Sequence, residues 1–273
     1  MRTFAIGNAV AGGERLLVLS GPCVVESEAM CLTVAERMRD LCAARALPFV
    51  FKASYRKANR SSGASFAGLG MDEALAVLAK VKRELGVPVV TDVHEEGEVA
   101  AAAEVADVLQ IPAFLCRQTG LLVTAARTGR AVNVKKGQFL APADMRNAAE
   151  KITGAGNDRV LLTERGTTFG YGDLVVDMRG LVVMRELGWP VLYDATHSLQ
   201  RPGGTTTGGD RRFAHPLMRA AVATGLDGLF FETHPDPEHA LSDAATQLPL
   251  DRAAAFLDEA CRVRDAVAEV TRG

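Results

Sequence analysis

Residues 86–111 read GVPVVTDVHEEGEVAAAAEVADVLQI, and this stretch decides the fold. Gly86 ends a helical pattern running from Met71 to Leu85, at a place where a left-handed residue costs glycine little. Val87–Val93 is then a nearly unbroken apolar run, with Pro88 near its start where no ladder donor is required. Such a run, rather than an alternating one, suits a parallel strand covered on both faces. An Ala-rich helical stretch, Glu95–Glu104, follows, and Val108–Ile111 opens the next strand. The unit is strand, helix, strand.

The same alternation extends both ways. Strands are predicted at Arg15–Leu19, Pro48–Ala53, Val87–Val93, Val108–Ile111, Ala131–Lys135, Arg159–Glu164, Pro190–Ala195 and Gly228–Glu232. Helical patterns lie between and after them, at Glu28–Ala44, Met71–Leu85, Glu95–Glu104, Gln118–Arg127, Pro142–Ile152, Leu174–Glu186, Pro216–Ala223 and Asp251–Val270. Gly129, Gly188 and Gly225 end helices as Gly86 does, and Pro48 and Pro190 open strands as Pro88 does. Eight strands each followed by a helix predict an α/β fold, a closed (β/α)8 TIM barrel forming one catalytic domain over residues 1–273. An open doubly wound sheet would carry a G-x-G-x-x-G turn after its first strand, and none stands there. Met1–Gly12 reads as a short N-terminal β-hairpin closing the bottom of the barrel.

Hydrophobic residues make up 48% of the chain and charged residues 23%, as in ordinary globular enzymes. A formal net charge of -2 leaves no global positive field to attract a nucleic-acid backbone, so any anion site must be built locally. The five cysteines, Cys23, Cys31, Cys42, Cys116 and Cys261, are scattered without a C-x-x-C pair, as suits reduced thiols. No apolar run approaches the roughly 20 residues that span a bilayer, and the amino-terminal residues show no secretory pattern. A cytoplasmic protein with no membrane partner is expected.

Barrels of this kind carry their chemistry at the C-terminal ends of the strands. Those ends supply Cys23 and Glu26 from the first strand, and Lys52, Lys57 and Arg60 from the second. Asp92 and His94 follow from the third, Gln110, Ala113 and Arg117 from the fourth, Lys135 and Gln138 from the fifth, and Arg165 from the sixth. The seventh and eighth give His197 and Glu232, with His234 and Asp243 beyond. Any one lysine or arginine in such a loop is as readily a solvated surface residue. Six of them on one rim of an acidic protein imply a substrate with several negative charges, because arginine grips phosphate with two parallel donors and lysine acts as a point charge. Cys23, His197, Glu232 and Asp243 offer a thiolate, an imidazole and two carboxylates, a set suited to a divalent transition metal. His94 and His234 are rival ligands. On spacing alone a lone barrel cysteine is more often a small buried hydrophobe than a ligand.

The segment Lys52-Ala-Ser-Tyr-Arg-Lys57-Ala-Asn59-Arg60-Ser61-Ser62 resembles the K-A-N-R-S segment of the 3-deoxy-D-manno-octulosonate 8-phosphate synthase family. The likeness continues through Ser20-Gly-Pro-Cys23, Thr91-Asp-Val-His94, Gln110-Ile-Pro-Ala-Phe114, Val134-Lys-Lys-Gly-Gln138, Glu164-Arg-Gly166, Asp194-Ala-Thr-His197 and Phe231-Glu-Thr-His234. It covers nearly the whole chain in order. The resemblance implies condensation of phosphoenolpyruvate with D-arabinose 5-phosphate, a step in lipopolysaccharide biosynthesis. It assigns Lys57, Lys135, Arg165 and the backbone at Ala113 to phosphoenolpyruvate, with Lys52, Gln110 and Gln138 close by. Asn59, Arg60 and Ser61 are assigned to the aldose phosphate, and Lys52, Asn59, Asp92, His94 and His197 to the reacting centre. Arg117 looks like an arginine reaching in from a neighbouring subunit, which implies a homotetramer. Cys23 stands where the family's metal-independent branch has asparagine. The resemblance therefore points to the metal-dependent branch, with one Zn, Fe, Mn or Co ion per subunit on Cys23, His197, Glu232 and Asp243.

Three other readings compete. The related 3-deoxy-7-phosphoheptulonate synthases use erythrose 4-phosphate, but would show a K-P-R-T-type segment where Lys57-Ala-Asn-Arg-Ser61 stands. A Schiff-base aldolase would use Lys52 or Lys135 as nucleophile, its pKa depressed by neighbouring cations. A sugar-phosphate sensor on a barrel would have no need of both the anion sites and the ligand set.

Overall fold

The computed structural model describes residues 1–58, 68–201 and 208–272, with residues 271 and 272 described by backbone alone. A hairpin of β1 (Phe4–Ile6) and β2 (Ala9–Ala11) precedes the barrel. Then come β3 (Leu17–Gly21), α1 (Glu28–Ala43), β4 (Phe49–Lys52), α2 (Met71–Leu85), β5 (Val89–Asp92) and α3 (Val99–Val105). The order continues with β6 (Val108–Ile111), α4 (Thr119–Arg127), β7 (Ala131–Lys135), α5 (Met145–Gly154) and β8 (Val160–Glu164). A second hairpin, β9 (Thr167–Phe169) with β10 (Asp173–Val175), stands before α6 (Met178–Glu186). The chain closes with β11 (Val191–Asp194), the short pair β12 (Gln200–Arg201) and β13 (Gly208–Gly209), α7 (Ala214–Ala223), β14 (Gly228–His234), β15 (Leu248–Pro249) and α8 (Ala253–Arg272).

Strands β3, β4, β5, β6, β7, β8, β11 and β14 are parallel and pair in sequence order. The ring shuts where β14 pairs on one side with β3, Gly228 opposite Leu17, and on the other with β11, Leu192 opposite Gly228. This is the predicted (β/α)8 barrel. Pro48, Pro88 and Pro190 stand just before their strands, and their carbonyls accept from Val18, Phe51 and Leu162 of the neighbouring strand.

The two-residue strand period sorts the apolar side chains into two cores. Leu17, Leu19, Val50, Val90, Val108, Ala131, Leu161, Leu192 and Phe230 fill the barrel interior with Ile6, Ala9 and Ala11 of the hairpin. Their neighbours Val18, Phe49, Phe51, Val89, Leu109, Val132, Leu162, Val191, Leu229 and Phe231 pack outward with Val34 and Met38 of α1, Leu78 of α2 and Phe256 of α8. The hairpin closes the bottom as expected. Arg2 N donates to Gly188 O at 3.0 Å and Asn8 Nδ2 to Gly86 O at 3.2 Å, both just before strand starts.

Three of the boundaries that shift do so for a clear physical reason. The helix predicted from Leu174 begins at Met178, because Thr167–Thr168–Phe169 and Asp173–Leu174–Val175 pair as an antiparallel hairpin. The Asp177 carboxylate then accepts from Arg179 N and starts the helix. The stretch from Glu95 opens as a 3-10 turn, Glu96–Glu98, before turning α-helical at Val99. The first barrel strand runs two residues later than predicted, because β14 extends its pairing to Glu232 opposite Gly21.

Candidate active site at the barrel mouth

Continuing the inward register past the apolar layer gives Lys52, Asp92, Gln110, Asn133, Lys135, Thr163, Asp194 and Glu232, all buried. The pleat that sends apolar residues into the barrel lower down thus sends polar ones into its mouth. Four of these form a directed chain across β5 to β8. Thr163 Oγ1 donates to Asn133 Oδ1 (2.7 Å), Asn133 Nδ2 to Gln110 Oε1 (2.9 Å), and Gln110 Nε2 to Asp92 Oδ1 (2.6 Å). Ser54 Oγ donates to the other Asp92 oxygen at 2.7 Å. An ionised carboxylate only accepts, so Asp92 fixes which way both amides face.

Beside this chain lie the sulfur and two more carboxylates. One ligand atom each from Cys23, Glu232 and Asp243 falls within 4.8 Å of the others. Cys23 Sγ is 3.1 Å from Asp243 Oδ2 and 2.9 Å from Ser242 Oγ. His197 Nε2 lies 3.5 Å from Glu232 Oε1 and 3.8 Å from Asp243 Oδ2. Burial, and then the Asp243 and Glu232 carboxylates, push the Cys23 thiol well up. Glu232 Oε2 is buried without a hydrogen-bond partner among the described residues. A buried thiol, two carboxylates, one of them with an orphaned oxygen, and an imidazole within 3.8 Å of both carboxylates fit a divalent transition cation, whose charge would turn the thiol to thiolate and relieve the crowding.

The rivals do not join this cluster. His234 turns to Glu26, with Nε2 3.5 Å from its Oε2, and its Nδ1 accepts from Asp236 N at 3.0 Å. His94 packs edge-on to Tyr55, and its backbone N–H donates to Glu98 Oε2 at 3.1 Å.

Four of the six expected cations, Lys52, Lys57, Lys135 and Arg165, converge. Lys52 donates to Glu232 Oε1 at 2.5 Å and to Cys23 O at 2.9 Å. Lys57 Nζ sits 3.9 Å from Glu232 Oε1 and 4.0 Å from Asp92 Oδ2. Burial alone would depress Lys57, but Cys23 and the Glu232, Asp92 and Asp243 carboxylates outweigh it and hold the ammonium above its usual range. Burial likewise opposes ionisation of Glu232, yet His197, Lys52 and Lys57 bring it down to about 2. Lys135 touches Asp194 and lies 3.2 Å above the Phe230 ring, and burial lowers it to about 8 despite that partner. Arg165 is buried, donates to Gln200 Oε1 at 2.6 Å, and keeps Nη1 unpartnered among the described residues. A buried, unmatched guanidinium donor is capacity for an anion.

Other expected residues lie elsewhere. Ala113 is buried in the turn after β6, whereas Arg117 on the same turn is exposed. Gln138 is buried on a groove shared with Phe139, Leu140, Thr167 and Phe169, and no hydrogen bond links it to Lys135 or Arg165 among the described residues. Asn59, Arg60 and Ser61 fall outside the described residues. Sequence reasoning missed Asn133, Thr163, Gln200, Ser242 and the role of Asp194. For Asn133 and Thr163 a signal existed: each is a polar residue at inward parity in an otherwise apolar strand.

A closed parallel barrel with a cation-lined mouth defines a class of phosphate-handling enzymes, and residues 4–269 match the DAHP synthetase I family, to which the chain belongs. Within it, a relative from Trichlorobacter lovleyi is 56% identical over 259 residues, covering 94% of this chain and 95% of its own. One from Geobacter metallireducens is 57% identical over 253 residues, covering 92% and 93% respectively. One from Acidithiobacillus ferrooxidans is 57% identical over 237 residues, covering 86% and 84%. All three are named 2-dehydro-3-deoxyphosphooctonate aldolase, another name for the synthase that the sequence motifs resemble.

Proposed function

We propose that this protein condenses phosphoenolpyruvate with D-arabinose 5-phosphate and water, giving 3-deoxy-D-manno-octulosonate 8-phosphate and inorganic phosphate. The carrying observation is the convergence of Lys52, Lys57, Lys135 and Arg165 with a thiol–carboxylate–imidazole group at one barrel mouth. Membership among proteins named for that eight-carbon product supports arabinose 5-phosphate as the aldose and does not favour the erythrose 4-phosphate alternative.

In this reading C3 of phosphoenolpyruvate forms the new bond to the aldehyde carbon, and the aldehyde oxygen takes a proton to become a hydroxyl. Water adds at the positive C2 and gives up one proton, which balances the one taken by the aldehyde oxygen; the tetrahedral C2 then expels phosphate by C–O cleavage as its new hydroxyl loses the second proton and becomes the ketone. Lys57, Lys135, Arg165 and the Ala113 amide bind the phosphoenolpyruvate anions and offset their repulsion from the second phosphorylated molecule. Asn59, Arg60 and Ser61 take the aldose phosphate, helped by Arg117 of a neighbouring subunit in a homotetramer. Lys52, Asp92 and His94 line the reacting centre, with Gln110 held to Asp92. Cys23, His197, Glu232 and Asp243 would hold a divalent transition ion, which supplies Lewis-acid polarisation of oxygen. No helix among the described residues is long and apolar enough to cross a membrane, in keeping with a cytoplasmic enzyme.

The test is phosphate release. It is expected with both substrates together and with neither alone; release from phosphoenolpyruvate alone, or none with the pair, refutes the reading. Borohydride treatment with substrate distinguishes a Schiff-base aldolase, and no lysine adduct is expected.

A further inference from the structure

We propose that Asp194 is a positioning residue shared by the two halves of the site, orienting His197 toward the metal ligands and holding Lys135 as the cation that meets phosphoenolpyruvate. The inference rests on the function proposed above.

Asp194 ends β11 and is fully buried. Its two oxygens have separate duties. Oδ1 accepts from Thr196 N (3.1 Å), Thr196 Oγ1 (3.1 Å) and His197 N (2.9 Å), which folds the turn after the strand. Oδ2 lies 2.8 Å from His197 Nδ1, at ion-pair distance but off the line of a hydrogen bond, and touches Lys135 Nζ. A turn cap needs only the first oxygen. The second reaches two chemically different groups, an imidazole on its own turn and an ammonium from β7, and that is the mark of a further role.

For His197 the consequence is which proton a cation can displace. A carboxylate oxygen only accepts, so the proton facing Asp194 stays on Nδ1, and a bound cation takes the place of the one on Nε2, which faces Glu232 and Asp243. Histidines that bind metals are commonly fixed in this way by an outer carboxylate. For Lys135 the consequence is charge. The ammonium is buried over Phe230, and Asp194 is its one ion-pair partner among the described residues. Without that partner the same burial favours neutral lysine, which offers phosphoenolpyruvate no charge.

Asp194→Asn separates the duties. Its amide oxygen still serves the turn, a role asparagine fills well, but its NH2 cannot accept from Nδ1 or Nζ. Two constants are measured on the folded protein: the Kd of Co2+ by competition with a chromophoric chelator, and the Kd of phosphoenolpyruvate by calorimetry without aldose. Co2+ binding is expected to weaken about 10–100-fold, as for other outer-shell carboxylates. Phosphoenolpyruvate binding is expected to weaken by about tenfold or more, the scale of one charge-assisted hydrogen bond. Thr196→Val loosens the same carboxylate without changing its charge. It should weaken both constants by about threefold; because Thr196 Oγ1 also accepts from Glu232 N, the phosphoenolpyruvate constant carries the test if the asparagine variant does not fold. A purely structural role would lower the melting temperature and leave both constants within twofold, and that result overturns the proposal. Movement of one constant alone also overturns it. Wild-type protein that binds neither Co2+ nor phosphoenolpyruvate refutes the proposed function itself.

Discussion

Replacing Thr163 by valine exchanges a hydroxyl for a methyl of nearly the same shape, at a fully buried position where Thr163 is the donor at the head of the chain ending on Asp92. Valine leaves Asn133 Oδ1 without that donor in an interior also fully buried. An unmatched buried acceptor costs about 1–3 kcal/mol. At roughly 2–4 °C per kcal/mol for a chain of this size, the unfolding midpoint should fall by several degrees. Circular dichroism at fixed protein concentration measures the shift, and Thr163→Ser is the control. Serine keeps the donor and loses one methyl, which costs about 0.8 kcal/mol on transfer grounds. The cycle is completed with Asn133→Leu, after which Thr163→Val should cost measurably less, because the acceptor it orphaned is gone. A valine variant within about 0.5 kcal/mol of wild type, the range of ordinary surface changes, refutes the reasoning. So does full additivity in the cycle.

Cys23→Ala should abolish high-affinity Co2+ binding and nearly all phosphate release, and chelator treatment of the wild type should do the same until a divalent transition ion is restored. Full activity after exhaustive chelation would place the protein with the metal-independent enzymes. Lys135, lowered by burial to about 8, should lose its charge as pH rises through 8, so kcat/KM for phosphoenolpyruvate should fall there, and Lys135→Arg should move the limb upward. The stability sign is opposite: the cost of the buried charge is present below about 8 and is relieved as pH climbs toward the ordinary 10.5. Gly21→Ala would set a Cβ 2.1 Å from Lys52 O, wedging β3 from β4. It should destabilise by about 1–3 kcal/mol in denaturant titration, the usual cost of overpacking.

The barrel was legible because burial on both faces writes strands as apolar runs, and because glycine and proline punctuate the loops. Val108–Ile111, Ala131–Lys135 and Met71–Leu85 match the structure to the residue. The β9–β10 hairpin was not legible, since its residues are mostly exposed and pair only with each other. The site was legible as a set of residue types at strand ends, and family motifs gave the roles. The bond between Thr163 and Asn133 spans strands that no local spacing relates. Asp194 was quoted in a motif without a duty, because only coordinates show its second oxygen between Lys135 and His197.

The interior layer of Leu17, Val108 and Ala131, backed from below by the β1–β2 hairpin, makes the barrel a cup with a single mouth. Traffic through a cup is two-way at a single opening. Inorganic phosphate made at the brim must therefore depart past the same cations that greet the incoming enol phosphate, so departing product and arriving reactant contend for one doorway.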